Sequence, residues 1–228
     1  KISGELTIIN QDGSIAAHCG NGARCLVGSI FKHYTERGRR VDEDERYVDF
    51  TIDGNYLRGE VLRSKEATTW VSIHMGEAKL NTANAWHQAT VETSQALLKS
   101  LEIECTNINT CELANRHLLI ETTNNDPSKL NLLGEQLTST LDEMPNVHFF
   151  QGGREPEASD QQQAQAEIAN NVEEVAQMLI WERGVGLTQA CGSGACAVGA
   201  LAFAEGFVPE DGKIAVDMPG GRVYIRNG

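Results

Sequence analysis

Cys19 and Cys191 each open a short phrase of small residues, and the two phrases nearly repeat one another. Cys19-Gly-Asn-Gly-Ala-Arg-Cys25 matches Cys191-Gly-Ser-Gly-Ala-Cys-Ala197 at the leading cysteine, both glycines and the first alanine. Each phrase follows a β-prone run and leads into an apolar, helix-compatible stretch, residues 26–31 and 198–203. That spacing puts each thiol at a helix start, where unpaired N–H groups and the helix dipole favour a thiolate. The same N–H groups can hold an anion, and the glycines let it approach the backbone closely. A pocket made from both halves of the chain is the expectation.

Two thiols flanking one small carboxylate could do specific chemistry. One thiolate would remove the α-proton while the opposite thiol delivers a proton to the other face, inverting the centre without a cofactor. A redox dithiol and buried structural cysteines compete with that reading, and spacing alone leaves all three open. Residues 192–197 also fit the loose dinucleotide pattern G-x-G-x-x-A. The elements after it read as a hairpin, so no parallel βαβ nucleotide unit is expected there.

Six cysteines in 228 residues raise disulfides and zinc as simpler explanations. Chain size and the lack of an export signal argue against a disulfide scaffold. The spacings Cys19-x5-Cys25 and Cys191-x4-Cys196 are wider than structural-zinc pairs, so no metal is expected. Cys105 and Cys111 bracket a polar segment and read as ordinary strand-end residues. A formal charge of −13 with no compensating basic face argues against phosphate-backbone binding. With neither a signal segment nor a membrane-length apolar run, the sequence reads as a cytoplasmic globular protein with no membrane partner. Its first residue is Lys1 rather than Met, so a processed or truncated chain is expected.

The elements that must position the cysteines follow from pattern. Residues 8–14 read as a strand running into an Asp12-Gly13 turn, and the first phrase opens a helix to about Arg37. Residues 47–61 alternate around Asp53-Gly54 as a hairpin, and 69–74 form a further strand. Residues 78–90 carry the chain across, and 89–101 fit helix or strand equally well. Strands are expected over 116–121, 146–150 and 175–183, with a helix over 128–141. Gly152 to Glu174 reads as an exposed polar loop. The helix after Cys191 should end near Gly206, before a last hairpin over 213–226. Strand, cysteine phrase, helix and hairpin thus occur twice, which suggests a duplication with a pseudo-twofold axis. The expected fold is α/β (α+β), with lobes 1–77 and 78–228. Each would be a mostly antiparallel sheet around a central helix, with the active site between them.

At this point the residues resemble a known family. Asn10-Gln-Asp-Gly-Ser14 with the first phrase, and Trp181-Glu-Arg-Gly-Val-Gly186 running into the second, are similar to diaminopimelate epimerases. These belong to the pyridoxal-independent two-cysteine amino-acid racemases. Met75-Gly76, Asn115-Arg-His117, Asn146-Val-His-Phe149 and Asp217-Met-Pro-Gly-Gly221 extend the resemblance over nearly the whole chain. It implies Cys19 and Cys191 as the acid–base pair, with amides around Gly20-Asn21 and Gly192-Ser193 holding the reacting α-carboxylate. By the same resemblance Asn10, Asn115, Asn146 and Arg183 would grip the far amino-acid end, and Glu182 its ammonium group. His117 stands where the family has a histidine near the pair; a satisfied core histidine is the plain alternative. Asn10 and Asn146 could equally make turns, and Glu182 and Arg183 alone would be a surface pair.

The implied activity is LL-to-meso epimerisation of diaminopimelate, a small amino-acid substrate, without cofactor or nucleic acid; a homodimer is compatible with it. A racemase for another amino acid such as histidine, or a non-catalytic redox-sensing relative, is the alternative. Two departures bear on the substrate. Arg116 replaces the family's proline and adds a charge beside the implied far-end pocket, and Leu187 replaces a common acidic residue. The family's N-terminal segment and C-terminal end have no counterpart in the sequence.

Overall fold

The computed structural model describes residues 2–9, 13, 15, 19–37, 46–65, 68–113, 115–156 and 171–228. The chain divides into two compact units, Lys1–Gly76 and Glu77–Gly228, each with its own sheet.

In the first unit, strand β1 (Ile2–Leu6) runs parallel to β2 (Tyr47–Ile52), and helix α1 (Gly20–Glu36) lies between them in sequence. β2 then turns at Asp53-Gly54, both with positive φ, into β3 (Asn55–Lys65), which pairs with β4 (Thr68–His74). The hairpin is where the alternation placed it, though β3 runs four residues further than expected. The first strand lies earlier than expected. Among the described residues of 8–14, Ile9 makes an isolated antiparallel bridge to Ile15, around Gly13 with φ 83°. α1 packs through Ala23 and Val27 onto Val48, Phe50, Ile52, Leu57 and Val61. Gly59 leaves the room on β3 that the Val27 side chain fills.

The second unit carries an eight-stranded sheet among the described residues. Its strands are β5 (Lys79–Leu80), β6 (Asn107–Leu113), β7 (Asn115–Glu121), β8 (Asn146–Arg154), β9 (Val172–Glu182), β10 (Gly186–Thr188), β11 (Lys213–Met218) and β12 (Gly221–Arg226). The order is β12-β11-β9-β8-β7-β6-β5, with β10 paired to the end of β9. Pairs β7/β8 and β9/β11 are parallel and the rest antiparallel. Helices α2 (Ala85–Ser100) and α3 (Pro127–Thr140) cover one face, and α4 (Gly192–Ala204) packs against strands from β5 to β12.

Helices on both faces explain why the central strands read as continuous apolar runs rather than alternating ones. Along β8, Val147 and Phe149 join Leu118, Ile120 and Trp181 under Leu98, Leu130, Leu133 and Leu137 of α2 and α3. His148 takes the other face, against the first turn of α4.

Several expectations need correction here. Residues 85–100 are helix, started by the Asn84 side chain accepting from His87 N at 2.8 Å. That cap settles the ambiguous 89–101 stretch and gives the mixed 78–90 stretch β5 and the first turn of α2. Cys111 sits inside β6, fully buried and paired with His117, not at a strand end. Gly152–Arg154 and Val172–Glu174 are strand, joined where Glu174 Oε1 accepts from Gly153 N at 2.6 Å. Residues 157–170 of the expected polar loop lie outside the described residues. β9-α4-β11 is also a parallel βαβ unit, which the hairpin reading had hidden. It repeats the β1-α1-β2 order of the first unit. No helix among the described residues is long and apolar enough to cross a membrane.

The contact between α3 and the sheet is tight at one point. Gly134 lies on the Trp181 indole, and a Cβ there would overlap the ring. Gly134→Ala gains helix propensity of under about 1 kcal/mol but must displace a buried indole, at a cost of about 1–3 kcal/mol. Urea unfolding should therefore show a lower midpoint for Gly134→Ala; an unchanged or higher midpoint would contradict this packing.

Candidate active-site residues

The first cysteine phrase is a helix start. Cys19 is the N-cap of α1, extended at φ −151° and ψ 99°, and its Sγ accepts from Gly22 N at 3.3 Å. A β carbon on Gly22 would lie 2.9 Å from Ile8 Cδ1 and 3.3 Å from the Cys19 sulfur. That position must therefore lack a side chain for strand, cap and helix to close together. Gly20 is buried, and the Asn21 side chain accepts from Arg24 one turn on. The first N–H groups of a helix have no intrahelical acceptor, and those of residues 20–21 belong to that first turn. Asn10 lies outside the described residues.

The second cysteine phrase repeats this geometry. Cys191 caps α4 at φ −132° and ψ 105°, and its Sγ accepts from Gly194 N at 3.4 Å. A β carbon on Gly194 would lie 2.5 Å from the His148 ring, so here an imidazole fills the space that Ile8 fills in the first unit. Ser193 Oγ lies 3.6 Å from the sulfur.

The surroundings of Cys191 reverse one sequence expectation. Its side chain is 5% exposed. Burial first, and then the Glu182 charge, push the thiol up to about 11, although Ser193 and the Gly194 N–H pull it down. At neutral pH Cys191 is a thiol, not the thiolate that a helix start alone would favour.

Strand register gathers the other residues at one end of the sheet. β7 and β8 start there side by side, with His117 opposite Asn146 and Asn115 two residues earlier. β9 ends there antiparallel to β8, so Val147 faces Trp181 and Glu182 follows. Asn146 Oδ1 accepts from Arg183 N at 3.0 Å, which ties the β9–β10 turn to the start of β8. Gly184 and Gly186 hold positive φ in that turn, and Glu182 Oε1 accepts from Thr188 Oγ1 at 2.6 Å. The turn reading of Asn146 holds in this form: its side chain fixes the backbone of Arg183.

His117 is fully buried, and so is a residue that sequence reasoning passed over. His148 stacks on it with centroids 5.2 Å apart, His117 Nδ1 facing His148 Nε2 at 3.0 Å. Burial, and then His117, hold His148 well below the ordinary histidine pKa, so it is neutral. Its Nδ1 has no hydrogen-bond partner among the described residues. The available signal was a lone imidazole in an otherwise apolar buried strand, Val147-His-Phe-Phe150.

Arg116 does not add a charge to this end of the site. Neighbouring strand residues point to opposite faces, and Arg116 lies over the Trp86 ring at 4.7 Å, ion-paired with Glu112 and Glu143. Its charge is balanced on the α2 side of the sheet, away from His117.

Residues 142–227 match the family described as diaminopimelate epimerase, a span that includes Asn146, Glu182, Arg183 and the second cysteine phrase. A diaminopimelate epimerase of Ectopseudomonas mendocina (strain ymp) is 27% identical over 224 residues, covering 96% of this chain and 68% of that protein. In fold, the chain is similar to a Bacillus anthracis phenazine biosynthesis protein of the PhzF family. That likeness has a TM-score of 0.61 at 14% identity, over 96% of this chain and 70% of the other. A hydroxyproline epimerase from Agrobacterium vitis, solved with bound trans-4-hydroxy-L-proline, gives 0.62 at 12% identity, over 98% and 62%. In sequence the chain is thus similar to proteins named diaminopimelate epimerase, and in fold to the PhzF-family and hydroxyproline epimerase structures.

Proposed function

We propose that Cys19 and Cys191 act on one substrate carbon as the acid–base pair of a cofactor-independent amino-acid epimerase. The substrate we propose is diaminopimelate, taken from LL to meso. The observation that carries this reading is the duplicated cap. Two cysteines start two helices, each sulfur accepting from the N–H three residues on, in units with the same strand-helix-strand order.

The chemistry follows from the proton positions. In one direction Cys191, a thiol at neutral pH, gives its proton to one face of the α-carbon. The sulfur of Cys19 takes the α-proton from the other. Backbone N–H groups at residues 20–21 and 192–193 hold the α-carboxylate and stabilise the charge that spreads onto it. The roles exchange in reverse, and no electron leaves the system. Glu182 and Arg183 are the proposed partners of the far ammonium and carboxylate, with Asn115 and Asn146 fixing orientation. The likeness to proteins named diaminopimelate epimerase supports that substrate over other amino acids.

A panel of amino-acid stereoisomers tested with wild type and single variants checks both parts. General acid–base groups contribute about 10²–10⁴-fold, so Cys19→Ala and Cys191→Ala should each lose at least that much turnover. Cys25→Ala and Cys105→Ala should keep it. Equal loss from a control variant that folds normally would sink the assignment. A wild type that prefers an amino acid with no far carboxylate would refute diaminopimelate and leave the thiol pair standing.

The protonation state has its own test. Iodoacetamide reacts with thiolate, so Cys191 labelling in the ligand-free protein should be slow at pH 7. It should rise about tenfold per pH unit toward about 11. Peptide mapping that found Cys191 fully reactive at neutral pH would contradict the protonated thiol.

A further inference from the structure

Three donors of the kind that bind first-row transition metals meet behind the second cap. One nitrogen each of His117 and His148 and the sulfur of Cys191 lie within 4.8 Å of one another, and all three side chains are buried. They come from β7, β8 and the start of α4, which is why sequence spacing gave no sign of them. His117 Nδ1 and His148 Nε2 face each other at 3.0 Å. A tetrahedral zinc with bonds of about 2.0–2.1 Å to nitrogen places two such atoms about 3.4 Å apart. Opening the pair by about 0.4 Å, and closing the sulfur from within 4.8 Å to about 3.6 Å of each nitrogen, seats the ion.

We propose that His117, His148 and Cys191 form a site for a borderline-soft divalent ion, zinc first, which binds at the expense of the active thiol. As the sulfur–metal bond forms, the thiol proton leaves to solvent and no electron is transferred. The thiolate and the Glu182 carboxylate beside it together match the ion's two positive charges, so the buried cluster is neutral. Three protein ligands leave a fourth position for water. Among the described residues, Ile8 rather than an imidazole fills the space at Gly22 of the first cap. Binding follows from the donor set alone. Inhibition by the ion rests on the functional reading above, since it withdraws the sulfur that moves the α-proton.

Cobalt(II) added to the reduced full chain is the probe. It should bind one per chain with a thiolate-to-cobalt charge-transfer band and the intense visible bands of tetrahedral geometry, both displaced by zinc, with release of a proton. Cys191→Ser should abolish the charge-transfer band, whereas Cys25→Ser and Cys105→Ser should keep it. His148→Gln should weaken cobalt at least as much as the ~10–100-fold that loss of an outer partner costs. His148→Cys should instead keep the ion with a stronger charge-transfer band, a gain that misfolding cannot mimic. A band that survives Cys191→Ser, or no saturable uptake by the folded wild type, overturns the site. Binding as described in a chain without epimerase activity would sink the functional reading alone. Full activity with cobalt bound at Cys191 would do the same.

Discussion

A thiol can cap a helix only if the first turn closes tightly beneath it, and in this chain one constraint arranges that closure twice. The residue three positions after each capping cysteine donates its N–H to the sulfur and carries no side chain. Its missing β carbon is replaced by a side chain from elsewhere in the same unit, Ile8 against Gly22 and His148 against Gly194. Segment, sulfur and helix are thereby fixed together, and the parallel strand that follows each helix docks onto the same sheet. Any side chain at Gly22 or Gly194 would separate these parts.

The same cap produces different chemistry in different surroundings. Cys191 is buried beside a carboxylate, and burial outweighs the two donors that favour its thiolate. Cys19 is half-buried, capped by an equivalent N–H. Fully buried imidazoles lie beside Cys191, whereas among the described residues it is Ile8 that packs against the first cap.

Much of this was legible in the sequence because the informative features are local. The duplicated phrase announced both helix starts, and the alternation around Asp53-Gly54 announced the β2–β3 hairpin. What stayed hidden depends on pairing across distance. Parallel pairing of β9 with β11 leaves no local mark, so β9-α4-β11 read as a helix and a hairpin. His148 was overlooked because its partner stands thirty-one residues away on another strand. Arg116 was placed near the site by its neighbours in sequence, although the pleat turns it to the opposite face, toward Trp86. The pKa of Cys191 was misjudged for the same reason: a helix start is visible in sequence, whereas burial and a carboxylate from β9 are not.

The central claim is that two sulfurs serve opposite faces of one carbon. Reaction in deuterium oxide, stopped early and analysed separately for substrate and product, tests it most directly. Two opposed thiols predict that the inverted product carries solvent deuterium at the α-carbon while recovered substrate still carries hydrogen, in both directions. Product that retains the substrate's own hydrogen, or deuterium appearing equally in recovered substrate, would contradict a two-thiol site.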